Sequence, residues 1–257
     1  MPVTSIVRTV AAIAVAIVLT ACRADFELKR FTQDTDLYQA ALRELQHRHL
    51  DHAVAGFERL TIELPARDTL MPLAFFHLGK ARQGKKEWLL AAQAFTRVTE
   101  SFPDDTLADD ALYEAGVSYG RLWRKPELDA QYGETAISTL RMLQGMYPNS
   151  PLNPDAQREI DRLTNWLGTK TYETGMFYMR RKAYDPAIIY FKDVLRLYST
   201  SPIAREAGIK LVEAYNEINY REEAQEQCAS LRQAYPGSAQ VREVCGNAPA
   251  TAQTPTP

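Results

Sequence analysis

The chain has little glycine, 12 residues in 257, and no run of alternating β-branched residues. Those two shortages argue against a fold built from strands and tight turns. It has no excess of positive charge, with 30 Lys and Arg against 32 Asp and Glu. A concentrated basic face for nucleic acid is therefore not indicated. It has no apolar run of about 20 residues, the length a spanning helix needs. Catalytic motifs are missing as well. Gly79-Lys80 lacks the upstream Gly and the following Ser or Thr of a phosphate loop. No Ser, His and acid arrangement can be picked out. An enzyme is not expected, nor a cofactor. What the chain does have is Leu, Ala, Glu, Gln and Arg, all good helix formers. The expected fold class is all-α.

The N-terminus reads as an export signal. Arg8 precedes an apolar stretch from Val10 to Leu19, and Leu19-Thr20-Ala21-Cys22 follows the lipobox order of bacterial lipoproteins. Residues 1–21 are expected to be a signal peptide, cleaved before Cys22, with the new N-terminal Cys22 acylated. Each buried CH₂ of the lipid contributes about 0.8 kcal/mol to membrane attachment. Arg23 in place of Asp after the cysteine favours sorting to the outer membrane. Loss of Arg8 leaves a net charge of about −3 on the mature chain. Residues 22–33 read as a lipid-anchored tether and 34–246 as the folded domain. Residues 247–257, rich in Ala, Thr and Pro, read as a disordered tail.

An internal repeat sets the architecture. Its mark is an Ala, an aromatic four residues on, and a Pro eight beyond. Ala53, Phe57 and Pro65 fit it, as do Ala91, Phe95 and Pro103. Ala136, Leu140 and Pro148 fit with Leu for the aromatic. Ala187 and Phe191 fit with Ser199 for the Pro, and Ala224, Cys228 and Pro236 fit with Cys for the aromatic. Twelve residues before Ala91 and Ala187 stand Gly79 and Gly175, and Gly116 holds the same place once about eight residues are inserted after it. The first unit has Ala41 there and the fifth Val212, so the fifth pair is expected to pack less closely. This is the tetratricopeptide pattern. Small residues let two antiparallel helices approach, an aromatic fills the gap, and Pro ends the second helix. The expectation is a right-handed superhelical solenoid of about five tetratricopeptide helix pairs. The polar, Pro-broken stretch Arg124 to Asp129 is expected to be an inserted loop, functional or inert.

Such a solenoid offers a groove lined by the first helix of each pair. Three residues before each small position come Tyr38, Phe76, Tyr113, Tyr172 and Ile209. One turn further come Leu42, Lys80, Val117, Met176 and Glu213. An aromatic ladder of this kind serves either of two ends: a peptide-binding groove over Tyr38, Leu42, Phe76, Lys80, Tyr113 and Val117, or packing within the superhelix. Of three cysteines, Cys22 goes to lipid and leaves Cys228 and Cys245. An oxidising compartment permits a disulfide between them; two small buried apolar residues are the alternative. His47, His49 and His52 cluster at the turn of the first pair, where polar residues belong in any case. Spacing alone does not make them a metal site, and none is expected.

The lipobox together with five repeats resembles the BamD (ComL) family of lipoproteins of the outer-membrane β-barrel assembly machine. The likeness covers nearly the whole mature chain. It is carried by Tyr147-Pro148-Asn149-Ser150, Asp155-Ala156, Thr171-Tyr172-Glu173 and Phe177-Tyr178-Met179-Arg180-Arg181-Lys182-Ala183-Tyr184. Ala187, Phe191, Leu195-Arg196-Leu197-Tyr198 and Ala204-Arg205-Glu206-Ala207 follow. Two places depart from the family pattern. Ser199 replaces a Pro, and Ile189-Tyr190 stand where some members have Asn-Arg. The resemblance implies a non-enzymatic protein on the periplasmic face of the outer membrane. Its N-terminal repeats would capture unfolded outer-membrane proteins. Its C-terminal repeats, with Tyr172, Tyr184 and Tyr190, would dock on a POTRA domain of the central barrel subunit. The alternative is a lipoprotein adaptor for pilus secretin assembly or envelope division. A metal hydrolase using the histidine cluster comes last.

Overall fold

The computed structural model describes residues 26–246. The signal peptide, Cys22 and the tail from 247 lie outside the described residues. Among the described residues there are 11 α-helices and no strand. They are α1 (Asp34–Gln46), α2 (Leu50–Glu63), α3 (Met71–Gly84), α4 (Trp88–Ser101), α5 (Ala108–Leu122), α6 (Gln131–Met146), α7 (Asn153–Arg180), α8 (Tyr184–Leu197), α9 (Ile203–Glu217), α10 (Arg221–Ala234) and α11 (Ala239–Cys245). Each helix packs on its neighbours in the chain, and α1 also touches α3, α5 touches α7, and α7 touches α9. That is the contact pattern of a solenoid: five tetratricopeptide helix pairs and a short closing helix.

The pairs close where the sequence has its small residues. A Cβ on Gly79 would stand 2.6 Å from Phe95 Cε1, one on Gly175 2.6 Å from Phe191 Cε1, and one on Gly116 2.6 Å from Leu140 Cδ2. Phe57, Phe95, Leu140 and Phe191 are all fully buried. Burial of each such side chain is worth about 2–3 kcal/mol. The fifth pair, with Val212 in place of the small residue, packs less closely than the other four, as expected. Its close approach moves one turn back to Gly208, where a Cβ would meet Leu231 Cδ2 at 2.7 Å. Val212 itself is fully buried in the core that holds Cys228. A larger residue on one helix is matched by a smaller one on the other.

Four of the five helix-to-helix turns share one geometry. Arg48, Lys86, Lys182 and Asn219 all have positive φ, between 59° and 63°. Beside each, the next N–H donates back five residues: His49 to the Glu44 carbonyl, Glu87 to Arg82, Ala183 to Tyr178 and Tyr220 to Tyr215. This is the Schellman ending, usually made with Gly. Three of the four carry a cation there, which the negative helix C-terminus favours. The third pair lacks this turn because the insertion replaces it. Trp123 closes α5 in extended conformation and is buried against Gly133, and Lys170 Nζ on α7 donates to the Leu128 carbonyl at 2.9 Å. The loop is thereby pinned to α7.

Two parts of the architecture differ from expectation. The segment 22–33 is not a free tether where it is described. Residues 28–30 form a 3₁₀ turn, Phe26, Leu28 and Phe31 pack on the first pair, and Arg59 Nη1 donates to the Leu28 carbonyl at 2.5 Å. Apolar side chains at 26, 28 and 31 gain more by burial than by solvation. The fourth unit begins on a helix of 28 residues. Its first half packs Ala156, Ile160 and Leu163 into the core of the third pair, and its second half packs Tyr172 into the fourth. At the C-terminus, Cys228 and Cys245 form a disulfide with Cα atoms 5.5 Å apart, tying α11 to α10.

Candidate functional site

The first helices of the second and third pairs bring polar and aromatic side chains together. Lys80 Nζ on α3 donates to Glu114 Oε1 on α5 at 2.5 Å. Gln83 Nε2 donates to Glu114 Oε2 at 2.7 Å and to Ser118 Oγ at 3.0 Å. The Lys80 ammonium also lies 5.5 Å from the centre of the Phe76 ring and 6.0 Å from that of Phe95. Phe76 meets Phe95 edge-on at 5.5 Å. Phe76, Lys80, Tyr113, Glu114 and Val117 are all half-buried, with one side still open to water. Lys80 retains 35% and Glu114 21% of its side-chain exposure, so the pair is neither solvated nor sealed.

The electrostatics of this patch follow from partial burial among carboxylates. Burial, then Glu114 and Glu159, push the Tyr113 hydroxyl above its ordinary value. Burial, then Asp109, hold the Asp110 carboxyl above the usual carboxylate range, with Lys80 pulling the other way and Glu114 adding to the rise. Arg158 opposes the rise at Tyr113, and Lys80 lies against Phe76, Phe95 and Glu114. Such a site can stack aromatic side chains and hold an anionic group on Lys80, with Glu114 as the counter-charge to be displaced.

The expected ladder is broken at both ends. Tyr38 is 7% exposed and Tyr172 is 8% exposed, so both are core residues, not groove or docking residues. The Tyr38 ring is covered edge-on by Phe57 and His77. His77 Nδ1–H donates to the Leu73 carbonyl at 2.9 Å and lies 3.3 Å from the Tyr38 hydroxyl. Tyr172 packs against Phe191 at 5.8 Å, and burial followed by Glu206, Glu173 and Glu213 pushes its hydroxyl up to about 12. Ile209 is buried as well, and Leu42 packs into the first core. Of the residues expected to line a groove, Leu42, Phe76, Lys80, Tyr113 and Val117 are half-buried, whereas Tyr38 is core. Glu114 is the residue that sequence reading missed; it directly follows Tyr113, but nothing in the repeat register marks it.

The other two docking candidates remain at the surface. Tyr184 donates to Glu217 Oε2 at 2.9 Å, and Tyr190 stacks on Tyr178 with ring centres 5.5 Å apart and planes 9° apart. Beside them, Ile189 is 60% exposed and Phe177 43%, with the Arg181 guanidinium 4.2 Å over the Phe177 ring. In the first pair, the histidines gain a partner that spacing did not show. His49 Nδ1 and His52 Nδ1 each lie 2.9 Å from Glu44 Oε2. Burial pushes the Glu44 carboxyl up, but the hydrogen bonds from His52 and His49 outweigh it and hold the group below its ordinary value.

No described helix is long and apolar enough to cross a membrane. Residues 31–239 match the model of a family described as outer membrane lipoprotein. Over 141 residues the chain is 30% identical to the outer membrane protein assembly factor BamD of Caulobacter vibrioides, covering 55% of this chain and 46% of that protein. It is 28% identical over 140 residues to the factor of the same name from Vibrio cholerae, covering 51% and 57%. The chain thus spans about half the length of the curated relatives it matches. Among solved structures, a TPR protein of Thermus thermophilus aligns with a TM-score of 0.37 and 20% identity, over 82% of this chain and 96% of that one.

Proposed function

The chain belongs to the YfiO family of outer membrane lipoproteins, and from that premise we propose that it serves, without catalysis, in the assembly of outer-membrane β-barrel proteins. Acylation of Cys22 holds it on the periplasmic face of the outer membrane. Phe26, four positions on from Cys22, is docked on the first pair. An extended chain of that length spans at most about 14 Å. The N-terminal repeats are thereby kept close to the lipid surface.

The half-open patch of Phe76, Lys80, Tyr113 and Glu114 is the observation that supports substrate binding. An unfolded barrel protein offers extended segments with alternating aromatics. Aromatics two apart point to one side of such a segment, and Phe76 and Tyr113 on adjacent pairs give them two platforms. Lys80 takes a carboxylate of the segment when Glu114 is displaced. The surface of Tyr184, Tyr190, Phe177 and Ile189 is the reading for docking on a POTRA domain of the central barrel subunit.

Titration of a fluorescent peptide from the C-terminal strand of a barrel protein tests the groove. Phe76→Ala is expected to weaken binding about tenfold, the size of one aromatic contact of about 1.4 kcal/mol. The variant should keep its helical circular dichroism. Undiminished binding by a folded Phe76→Ala protein would remove the groove from the proposal.

A further inference from the structure

We propose that Glu44, His49 and His52 form a binding site for one divalent transition-metal ion of the zinc class. The carboxylate comes from the last turn of α1, one imidazole from His49 at the N-cap of α2 and the other from His52 in its first turn. One ligand atom from each lies within 4.8 Å of the other two. Both Nδ1 atoms converge on the same carboxylate oxygen, each at 2.9 Å. Ligands bound at about 2.0–2.1 Å around one ion stand about 3 Å apart, and each Nδ1 already stands at that distance from the carboxylate oxygen. Two imidazoles and a carboxylate are a ligand set suited to zinc and its neighbours, and not to calcium or magnesium, which take oxygen ligands.

The geometry is held by the backbone. The His49 N–H donates to the Glu44 carbonyl at 2.8 Å, and the Ala53 N–H to the His49 carbonyl at 3.1 Å. Arg48 between them takes the positive φ of 61° that closes the turn. The His52 ring is stacked on Phe26 at 5.3 Å and 16°, which limits its rotation. His47 lies next to the cluster, its ring centre 6.2 Å from that of His49. It, or water, supplies a further ligand. Binding at Nδ1 moves each neutral ring's proton to Nε2, so the imidazoles coordinate without losing charge balance. Because Phe26 stacks on a ligand, an ion here also fastens the docked N-terminal segment to the first pair.

The experiment uses the full mature chain in detergent, purified without an oligohistidine tag. Zinc chloride is titrated by calorimetry into wild type, Glu44→Gln, His49→Ala and His52→Ala, with circular dichroism as the check on folding. The chain has 4 histidines, and the fourth, His77, already gives its Nδ1–H to the Leu73 carbonyl. His77→Gln is therefore the control. One ion per chain is expected, with at least tenfold weaker binding in each cluster variant and unchanged binding in His77→Gln. Cobalt in place of zinc should give visible d–d bands in wild type that Glu44→Gln, the mildest variant, weakens. No saturable zinc binding by wild type, or equal affinity in the folded cluster variants, would overturn the site.

Discussion

Gly79→Ala sets two physical effects of opposite sign against each other. Gly79 lies within α3, and alanine in a helix interior is better than glycine by about 1 kcal/mol. Propensity alone thus predicts a more stable protein. The structure predicts otherwise. The new Cβ would fall 2.6 to 2.7 Å from three atoms of the Phe95 ring. That ring is fully buried and in edge contact with Phe76, so it has little room to turn. Overpacking of this kind costs about 1–3 kcal/mol. With about 2 kcal/mol for the clash and about 1 kcal/mol returned by propensity, the net loss is about 1 kcal/mol. Repeat arrays need not unfold in one step, so the readout should be native-state hydrogen exchange of amides in α3 and α4. Their exchange is expected to speed up about fivefold, while α9 and α10 stay unchanged. Phe95→Leu added to Gly79→Ala should recover part of the loss, since a smaller side chain makes room for the methyl. Slower exchange in Gly79→Ala would refute the close-approach account of the repeat.

Other perturbations follow from the same structure. Reduction of the disulfide, which closes 17 residues, should weaken the C-terminal pair by about 3 kcal/mol by the loop-entropy relation; hydrogen exchange of α10 and α11 with and without reductant should show it there and not in α1. His77 is held below its ordinary value of 6.5, first by burial, with Lys80 acting in the same direction and the Leu73 carbonyl opposing. A lowered histidine is neutral in the fold, so its contribution is full above pH 6.5 and declines as pH falls toward the folded value. Urea midpoints at pH 7 and pH 5 should differ less for His77→Gln than for wild type; equal differences would remove His77 as the cause.

Much of the fold was legible because the close helix contacts need particular residues. Gly79, Gly116 and Gly175 stand where a methyl would collide, and Phe95, Leu140 and Phe191 are what it would meet. A pattern forced by sterics survives in a single sequence. The long α7 was hidden because its first half carries no repeat mark; only the wide spacing between Ala136 and Ala187 betrayed extra chain. The groove was half legible. Register places Tyr38 and Phe76 at equivalent positions, but exposure depends on what covers them, and His77 of the next unit covers Tyr38. The partners of Lys80 and of the histidines were not legible at all. Glu114 lies 34 residues from Lys80, and Glu44 reaches His49 and His52 only once the turn at Arg48 has folded.

In the proposed function the chain works on outer-membrane barrel proteins through its repeats. The most direct test is its gentle extraction from native membranes in mild detergent, followed by mass spectrometry of the proteins that remain bound. A POTRA-bearing barrel protein is expected in near-equal amount, retained by wild type and depleted when Tyr184 and Tyr190 are both changed to Ala. A secretin or a cell-wall enzyme in its place, with no barrel protein, would contradict it.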